Sequence, residues 1–372
     1  MSQTAASVES TVHVIAELGV NHDGSVAKAL ELVHAAHAAG VDAVKVQTYS
    51  AANLVSVTSP KAKYQLQTTP RGETQFEMLA SLELSRDDHF VVRDLAEALG
   101  LEFLSTPYDI PSLSFLVQEM GLTGIKIASS DITNLPLLHA AATLDVHVLL
   151  STGMSTTDEI DWAVQTLGAG YSRIEPSVFI RMDATMRQDL VASARDRVAL
   201  LHCTSQYPAP GDEVNMSVLP WLKDTYGTTV GYSDHTTGHV AAVMAVALGA
   251  TVYERHLTLD RRSPGPDHAA SLDPGEFGTT VGMIREATSA VGDGVKRPTP
   301  SEAQNRRFMR KGLFAARAIK QGQVIEASHL KAVRPCDADS VANYWHWVGT
   351  IATQDYGVDE PIGSTKDDIH DQ

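Results

Sequence analysis

Short β-rich runs alternate with helix-patterned segments along most of this 372-residue chain. The runs are VHVIAEL, DAVKVQT, LEFLST, GIKIAS, VHVLLST, VALLHC, TVGYS and TVYERH, and stretches such as AKALELVHAAHAAG and DHFVVRDLAEALG separate them. Strands that alternate with helices build a parallel sheet, because each parallel crossover needs a connection of helix length. Eight repeats of this unit predict an α/β fold, a (β/α)₈ TIM barrel.

The length and the composition of the C-terminal region indicate a second domain. A single hydrophobic core stops growing at roughly 250–300 residues, and this chain is longer. Near residue 292 the sequence changes to GDGVKRPTPSEAQNRRF, which is rich in Gly, Pro and charge, as linkers are. We predict a disordered N-terminus at 1–11, a barrel over 12–290, a linker at 291–306 and a small domain over 307–372.

Two insertions interrupt the βα units. Residues 50–82 are too long for an ordinary loop and predict an active-site lid or a helix. Residues 169–197 predict a peripheral helix with a mobile loop.

Charge and cysteine usage exclude several classes of protein. A net charge of −16 and a pI near 5.3 argue against nucleic-acid binding. The cysteines, Cys203 and Cys336, form neither a metal-binding motif nor a disulfide framework, so we interpret both as packing residues in a reducing compartment. The first ten residues lack the features of a signal peptide, and no apolar run reaches 18 residues. A cytoplasmic protein without a membrane partner is expected.

Two histidines follow neighbouring strands of the predicted barrel. His235 and His256 each end an apolar run, and the intervening TGHVAAVMAVALGA fits one helix. Such residues lie together at the C-terminal ends of adjacent parallel strands. Asp234, Glu254 and Asp267 are close in sequence, and imidazole with carboxylate suits Mn, Zn, Fe or Ni. The pattern predicts a divalent-metal site and leaves the element open.

Nearly every predicted strand ends in polar side chains, which a barrel brings to one face. They are Glu17, Lys45 with Gln47, Ser105 with Thr106, Lys126 with Ser129, Ser151, His202, Ser233 with His235, and Glu254 with His256. The two lysines and the hydroxyls can together hold a phosphate and a carboxylate. A substrate that carries both anions, such as phosphoenolpyruvate, fits this set.

Eight motifs carry a family resemblance: IAELGVNHDGS, VKVQTY, STPYD, IKIASSDITNLPLL, LLSTGMST, LLHCTSQYPAP, VGYSDHTTG and ERHLTLDRRSPGPDHAAS. Over about residues 13–335 the chain resembles the sialic acid synthase family, which includes legionaminic acid synthases. Its tail resembles the antifreeze-like SAF domain that follows the barrel there. The resemblance implies condensation of phosphoenolpyruvate with an N-acylated mannosamine-type sugar to a nonulosonic acid and phosphate. N-acetylneuraminate synthase is the expected activity, and the alternative is a legionaminic or pseudaminic acid synthase that uses a 2,4-diacetamido-6-deoxy hexose.

The resemblance also implies roles for individual residues. His235 and His256 would ligate Mn²⁺, or Mg²⁺ or Co²⁺, with Glu254 and Asp267 orienting its waters. Lys45 and Thr106 would hold the carboxylate of phosphoenolpyruvate. Its phosphate would be held by Lys126, Ser129, Ser151 and Ser233, with Ser205 beside it. The sugar would be contacted by Gln47, Tyr207 and Asp131. Glu17 or Asp131 would transfer the proton. Arg334 matches an arginine that reaches the sugar in a neighbouring subunit, which implies a homodimer with exchanged C-terminal domains.

The chain departs from the family pattern at three places. CDADSVANYW replaces a glycine-rich segment after Arg334, Asp131 stands where some members have Glu, and Ser205 stands where some have Asn. Two other functions remain open. A metal-dependent aldolase or sugar isomerase would act without phosphoenolpyruvate, and a non-enzymatic glycan- or ice-binding protein would have an inert barrel.

Overall fold

The computed structural model describes residues 11–63, 65–70, 72–336 and 339–363. The chain divides into two compact units whose sequence boundary lies between Gly292 and Asp293. Apart from residue 11, the N-terminus that we predict to be disordered lies outside the described residues. Within the described residues, no helix is both long enough and apolar enough to cross a membrane.

The first unit is built on eight parallel strands. They are β1 (His13–Gly19), β2 (Ala43–Thr48), β3 (Glu102–Pro107), β4 (Gly124–Ile127), β5 (His147–Ser151), β6 (Val198–His202), β7 (Thr229–Asp234) and β8 (Val252–His256). Their order in the sheet is β3-β2-β1-β8-β7-β6-β5-β4, and β3 and β4, which end this order, contact each other. The sheet is therefore nearly closed, as in a (β/α)₈ barrel, and the eight predicted strands are confirmed.

A helix follows each of these strands. The helices are Val26–Ala39, Arg86–Ala98, Ile110–Ser114 with a π-helical continuation Phe115–Glu119, Leu135–Thr143, Thr157–Tyr171, Val218–Tyr226, Val240–Ala247 and Pro274–Val291. Several begin at capping boxes, among them Ser85 with Asp88 and Thr156 with Glu159. Each box satisfies backbone amides that the first helical turn leaves unpaired, so the helix starts are encoded locally.

The side chains inside the barrel follow the period of two that a strand imposes. The inner apolar cluster takes residues from five of the strands and comprises Ile15, Ala43, Leu104, Ala199, Leu201 and Val252. Gly231 belongs to the same layer, because it pairs in register with Val252. A Cβ at this position would lie 2.6 Å from the carbonyl oxygen of Val252. The next inward position along each strand, two residues further, therefore faces the C-terminal mouth of the barrel.

Both insertions contain short helices. Residues 50–82 form Ala51–Leu54, Gln65–Thr68 and Gln75–Ser81, and residues 169–197 form Pro176–Phe179, Ala184–Asp189 and Val191–Ala194. Met78 and Leu82 pack the first insertion against Val20 and Tyr49. Phe179 and Leu190 pack the second against the helix that precedes it. The helical content of both is confirmed, and the mobile loop and the lid remain predictions.

The second unit contains an antiparallel strand pair, β9 (Gly312–Ala315) with β10 (Leu330–Val333), and the helices Pro300–Met309 and Tyr344–Trp347. Its small core comprises Leu313, Ala315, Ile319, Ile325, Leu330, Ala352, Tyr356 and Ile362. The last seven residues of the predicted linker 291–306 are helical, from Pro300 onwards, because Thr299 and Glu302 form a capping box there. The assignment of this unit as an SAF domain stays a prediction.

Acid should destabilise the first unit partly through His22. This side chain is 1% exposed, and its Nδ1 accepts the Gly24 amide at 3.1 Å. Burial, with the nearby His89, lowers the pKa of His22 from 6.5 to about 4. The unfolded chain therefore binds the proton more tightly, and stability falls as pH drops from 6.5 towards 4, by up to about 3 kcal/mol. Denaturant unfolding between pH 7 and 5 should show a shallower fall in His22→Gln, whereas the exposed-histidine control His37→Gln should match the parent.

Candidate active site

The inward positions just beyond the apolar layer carry charge or hydroxyl groups on most strands. The polar cavity at the C-terminal ends of the strands is lined by Glu17, Lys45, Gln47, Thr106, Tyr108, Lys126, Ala128, Ser129, Ser151, Cys203, Tyr207, Ser233, His235, Glu254 and His256. The structure thus brings together most of the residues predicted from the strand ends, on the face where (β/α)₈ enzymes place their active sites.

Lys45 lies at the centre of an ion network. Its ammonium forms a salt bridge with Glu17, lies 3.7 Å from Glu254 and donates to the Thr106 hydroxyl at 3.0 Å. Burial by itself lowers the pKa of Lys45, but the two carboxylates outweigh that effect and hold the pKa above its usual value. Gln47 extends the network by donating to Glu17 at 3.2 Å. Lys45 is therefore a fixed positive charge in the cavity wall.

Lys126 has weaker partners than Lys45. Its ammonium lies 3.8 Å from Glu254 and donates to the Ile127 carbonyl at 3.2 Å. Burial lowers the pKa of Lys126, and repulsion from Lys45 adds to this against the attraction of Glu254. Glu254 also accepts from Ser233 at 2.8 Å, and the two ammoniums lower its pKa in spite of burial. Because the ion contact of Lys126 is long, its charge can turn to an incoming anion at small cost.

Hydroxyl groups surround the cavity close to Lys126. Ser129 Oγ lies 3.0 Å from Ser205 Oγ, and Ser151 ends the neighbouring strand β5. Gly153 follows β5, where a Cβ would lie 2.2 Å from Ser205 Oγ and 2.8 Å from Cys203 Sγ. A glycine at 153 thus lets these polar side chains converge. Cation and hydroxyls together can hold a tetrahedral oxyanion.

The two histidines face each other across the cavity. Their ring centroids are 5.8 Å apart, and the Tyr207 ring lies 4.2 Å from that of His235. Burial, with the neighbouring His256, lowers the pKa of His235 to about 4, so its imidazole is neutral at pH 7. Its Nδ1 lies 2.8 Å from the Thr204 carbonyl, which fixes the proton on Nδ1 and leaves the Nε2 lone pair available. His256 Nδ1 is buried and has no hydrogen-bond partner among the residues that the structure describes.

This pair fits a divalent ion held by two nitrogen ligands. Gly19 keeps the space beside His256 open, because a Cβ there would lie 3.3 Å from Nδ1 and 3.1 Å from Glu17 Oε1. Asp267 Oδ2 lies 3.9 Å from the same nitrogen, a distance suited to contact through water. Among the residues that the structure describes, no group of three or more His, Cys, Asp or Glu is arranged to hold a metal. Water or substrate oxygen would complete the coordination.

Four residues to which the resemblance assigns roles do not line the cavity, and neither do the strand-end residues Ser105 and His202. Ser205 and Asp267 contact lining residues, as described above. Asp131 ends the 3-10 turn 129–131, where it accepts from Ser130 and Asn134. Arg334 lies in the second unit, exposed, directly after β10. The roles predicted for these residues stay predictions.

Three lining residues were not among those predicted. Tyr108 directly follows β3, and burial, together with Glu17 and Asp131, raises its pKa well above 10. Ala128 follows β4. Cys203, interpreted from the sequence as a packing residue, is buried but lines the cavity, and burial raises the pKa of its thiol. The parity of β6 could have revealed it, because it lies two residues after the inward-facing Leu201.

Comparisons with known proteins agree with this geometry. Residues 32–296 match the NeuB family. The chain belongs to the NeuB family. It is 40% identical to an N,N'-diacetyllegionaminic acid synthase of Campylobacter jejuni, over 94% of this chain and 98% of that protein. It is also 40% identical to the synthase of the same name from Legionella pneumophila, over 87% and 86%. A solved N-acetylneuraminic acid synthetase of Leptospira borgpetersenii is 29% identical, with a TM-score of 0.65 over 80% of this chain and 90% of that one.

Membership in the NeuB family confirms the resemblance to sialic acid synthases and places the chain among nonulosonic acid synthases. It also changes the order of the two acceptors that the sequence left open. The expectation of an N-acetylneuraminate synthase receives less support than its alternative, because the two 40% identical relatives are legionaminic acid synthases.

Proposed function

We propose that this NeuB protein condenses phosphoenolpyruvate with a 2,4-diacetamido-6-deoxy hexose to form a legionaminic-type acid and phosphate. The polar cavity is the observation that supports the proposed reaction, because it joins two buried lysines and several hydroxyls to a pair of imidazoles. The similarity to legionaminic acid synthases over nearly the whole chain supports the choice of acceptor.

Phosphoenolpyruvate would bind across the two lysines. Its carboxylate would lie at Lys45 and the Thr106 hydroxyl, which are already 3.0 Å apart and hydrogen-bonded. Its phosphate would take Lys126, whose ion contact is long, together with Ser129 and Ser151. Fixing both ends of the substrate presents its enol carbon in one orientation, which lowers the entropic part of the barrier.

The imidazole pair would lie where the sugar aldehyde enters. His235 and His256 would hold Mn²⁺, or Mg²⁺ or Co²⁺, and such an ion, when bound, supplies Lewis-acid polarisation of a carbonyl oxygen. The enol carbon then forms a C–C bond to the aldehyde carbon, water adds at C2 of the former enolpyruvate, and phosphate leaves with cleavage of its C–O bond. Glu17, which lies in the cavity beside Gln47 and Lys45, would accept a proton from water.

The remaining roles concern the sugar. Gln47 and Tyr207 line the cavity and would contact it, and Asp131, in the turn after β4, would do so from the rim. Arg334 would reach the sugar from the second unit of a partner chain in a domain-exchanged homodimer. A serine at 205 in place of Asn and a shorter acid at 131 would then adapt the rim to the acceptor.

Phosphate release from phosphoenolpyruvate with Mn²⁺ tests the proposal directly. Because a site that is built around a polar group discriminates strongly against sugars that lack it, kcat/KM for a 2,4-diacetamido-6-deoxy hexose should exceed that for N-acetylmannosamine by about 10² or more. N-acetylmannosamine 6-phosphate and an EDTA-treated sample serve as controls. Faster release with N-acetylmannosamine would overturn the acceptor assignment. Sugar conversion without phosphoenolpyruvate would indicate an aldolase or isomerase.

A further inference from the structure

An arginine lies directly behind the histidine pair, with its side chain on the opposite face of β8. Glu254 and His256 point into the barrel, so Arg255 between them points outward, and it pairs in register with Asp234 of β7. Both charged residues are 1% exposed. The guanidinium donates to Asp234 Oδ2 at 2.9 Å. A buried ion pair of this kind contributes little net stability compared with an apolar pair, so its presence asks for another explanation.

The contacts of Arg255 converge on one short segment. The guanidinium donates to the Gly238 carbonyl at 2.7 Å and also to the Thr236 carbonyl. Asp234 in turn accepts the Thr236 amide and hydroxyl, both at 2.8 Å. Residues 234–238 are therefore fixed by one guanidinium and one carboxylate. His235 lies inside this segment, and its side chain extends to the other face, into the cavity.

The geometry points to Arg255 as a positioning residue for His235. By fixing the segment that carries His235, Arg255 sets the affinity of the imidazole pair for a divalent cation. The inference rests on the proposed function only in taking His235 and His256 as the ligands. A planar guanidinium can donate to a carboxylate and two carbonyls at once. A lysine ammonium lacks this planar arrangement of donors and cannot replace it. Groups that orient metal ligands from behind typically change metal affinity by about 10- to 100-fold when they are removed.

The test is Mn²⁺ binding to metal-free protein, followed by the loss of the free Mn²⁺ signal in electron paramagnetic resonance. Arg255→Lys should raise the Kd for Mn²⁺ by about 10-fold or more. Raising the Mn²⁺ concentration should then recover part of the phosphate-release activity of Arg255→Lys. The Mn²⁺ concentration that gives half-maximal activity should change by a larger factor than kcat at saturating Mn²⁺. A Kd within twofold of the parent would overturn the inference, and so would a parent protein that binds no Mn²⁺.

The chain offers a matched control at the opposite end of the barrel. Arg285 donates to both oxygens of Asp42 at 2.8 and 2.7 Å and also to the Val12 carbonyl, just before β1 and β2 begin. Arg285→Lys also replaces the fork of an Arg–Asp pair, yet it should leave the Kd for Mn²⁺ within twofold. If it weakens Mn²⁺ binding as much as Arg255→Lys does, the effect is one of general stability and the inference fails.

A milder variant keeps the question answerable if Arg255→Lys does not fold. Tyr253 donates its hydroxyl to Asp234 Oδ2 at 2.7 Å, so Tyr253→Phe removes one support of the same segment and leaves the ion pair intact. It should raise the Kd for Mn²⁺ two- to fivefold, on the order of the loss of one hydrogen bond; an unchanged Kd would contradict the inference. Failure of the proposed acceptor appears separately, as absence of sugar-dependent phosphate release from the parent protein.

Discussion

Replacing His235 by asparagine should reduce Mn²⁺-dependent kcat/KM for phosphate release by about 10³ or more, because the loss of a metal-held charge costs several kcal/mol of transition-state stabilisation. The imidazole is neutral, buried and bonded to one backbone carbonyl. Its removal should therefore cost the fold only about 1–2 kcal/mol. Large kinetic loss with small structural loss is the signature to look for.

His202 provides the control for this experiment. It ends the adjacent strand β6, is likewise buried, and has its Nε2 2.6 Å from the Val214 carbonyl, but it does not line the cavity. His202→Asn should cost comparable stability in denaturant unfolding while kcat/KM falls less than about tenfold. Equal kinetic losses in the two variants would show that His235 acts through the fold and not through a bound ion.

The two buried lysines should differ sharply when each is replaced by methionine. Lys45→Met leaves Glu17 and Glu254 facing each other without their shared cation, which should lower the free energy of unfolding by about 3–5 kcal/mol. Lys126→Met removes a charge that burial already disfavours, so it should cost about 2 kcal/mol or less. Both variants should lose about 10² or more in kcat/KM, because each removes a cation that would hold phosphoenolpyruvate.

The pH dependence of stability separates the two variants further. In Lys45→Met the carboxylates repel each other, so the pKa of one of them rises in the folded protein. A carboxyl whose pKa is raised on folding loses stability as pH rises, and Lys45→Met should therefore be relatively less destabilised at pH 5.5 than at pH 8. Guanidinium titrations at these two pH values provide the measurement. A difference between parent and variant that does not change with pH would contradict the network described for Lys45.

The strands and the inward-facing residues could be predicted because the sequence signals that define them are local. An alternating or continuous apolar run defines each strand, and a parity of two fixes whether a residue such as Lys45 or Glu254 faces inward. The helix from Pro300 was also encoded locally, in Thr299 and Glu302, but the surrounding Gly and Pro residues outweighed that signal in a composition-based interpretation.

The pairing of charges could not be predicted, because it depends on distances between strands. The sequence shows two lysines and two glutamates at strand ends, but not that Glu17 bonds Lys45 while Glu254 lies between both lysines. Likewise, the alternation of side chains along β8 predicts that Arg255 points outward. Its hydrogen bond to the Gly238 carbonyl, in the turn after β7, is seen only in the fold. Tyr108 keeps the inward parity of Thr106, two residues earlier, but it was missed because the predicted run LEFLST ends at Thr106.

The charged layer above Ile15, Ala43 and Leu104 occupies the volume in which a purely structural barrel would place another apolar layer. Exchanging buried ions together for apolar side chains of similar size is often neutral or stabilising. Substitutions that stabilise the barrel in this way would therefore remove the charged side chains that the proposed reaction needs. Loss of catalysis through such a joint exchange need therefore leave no mark on the folding of the chain.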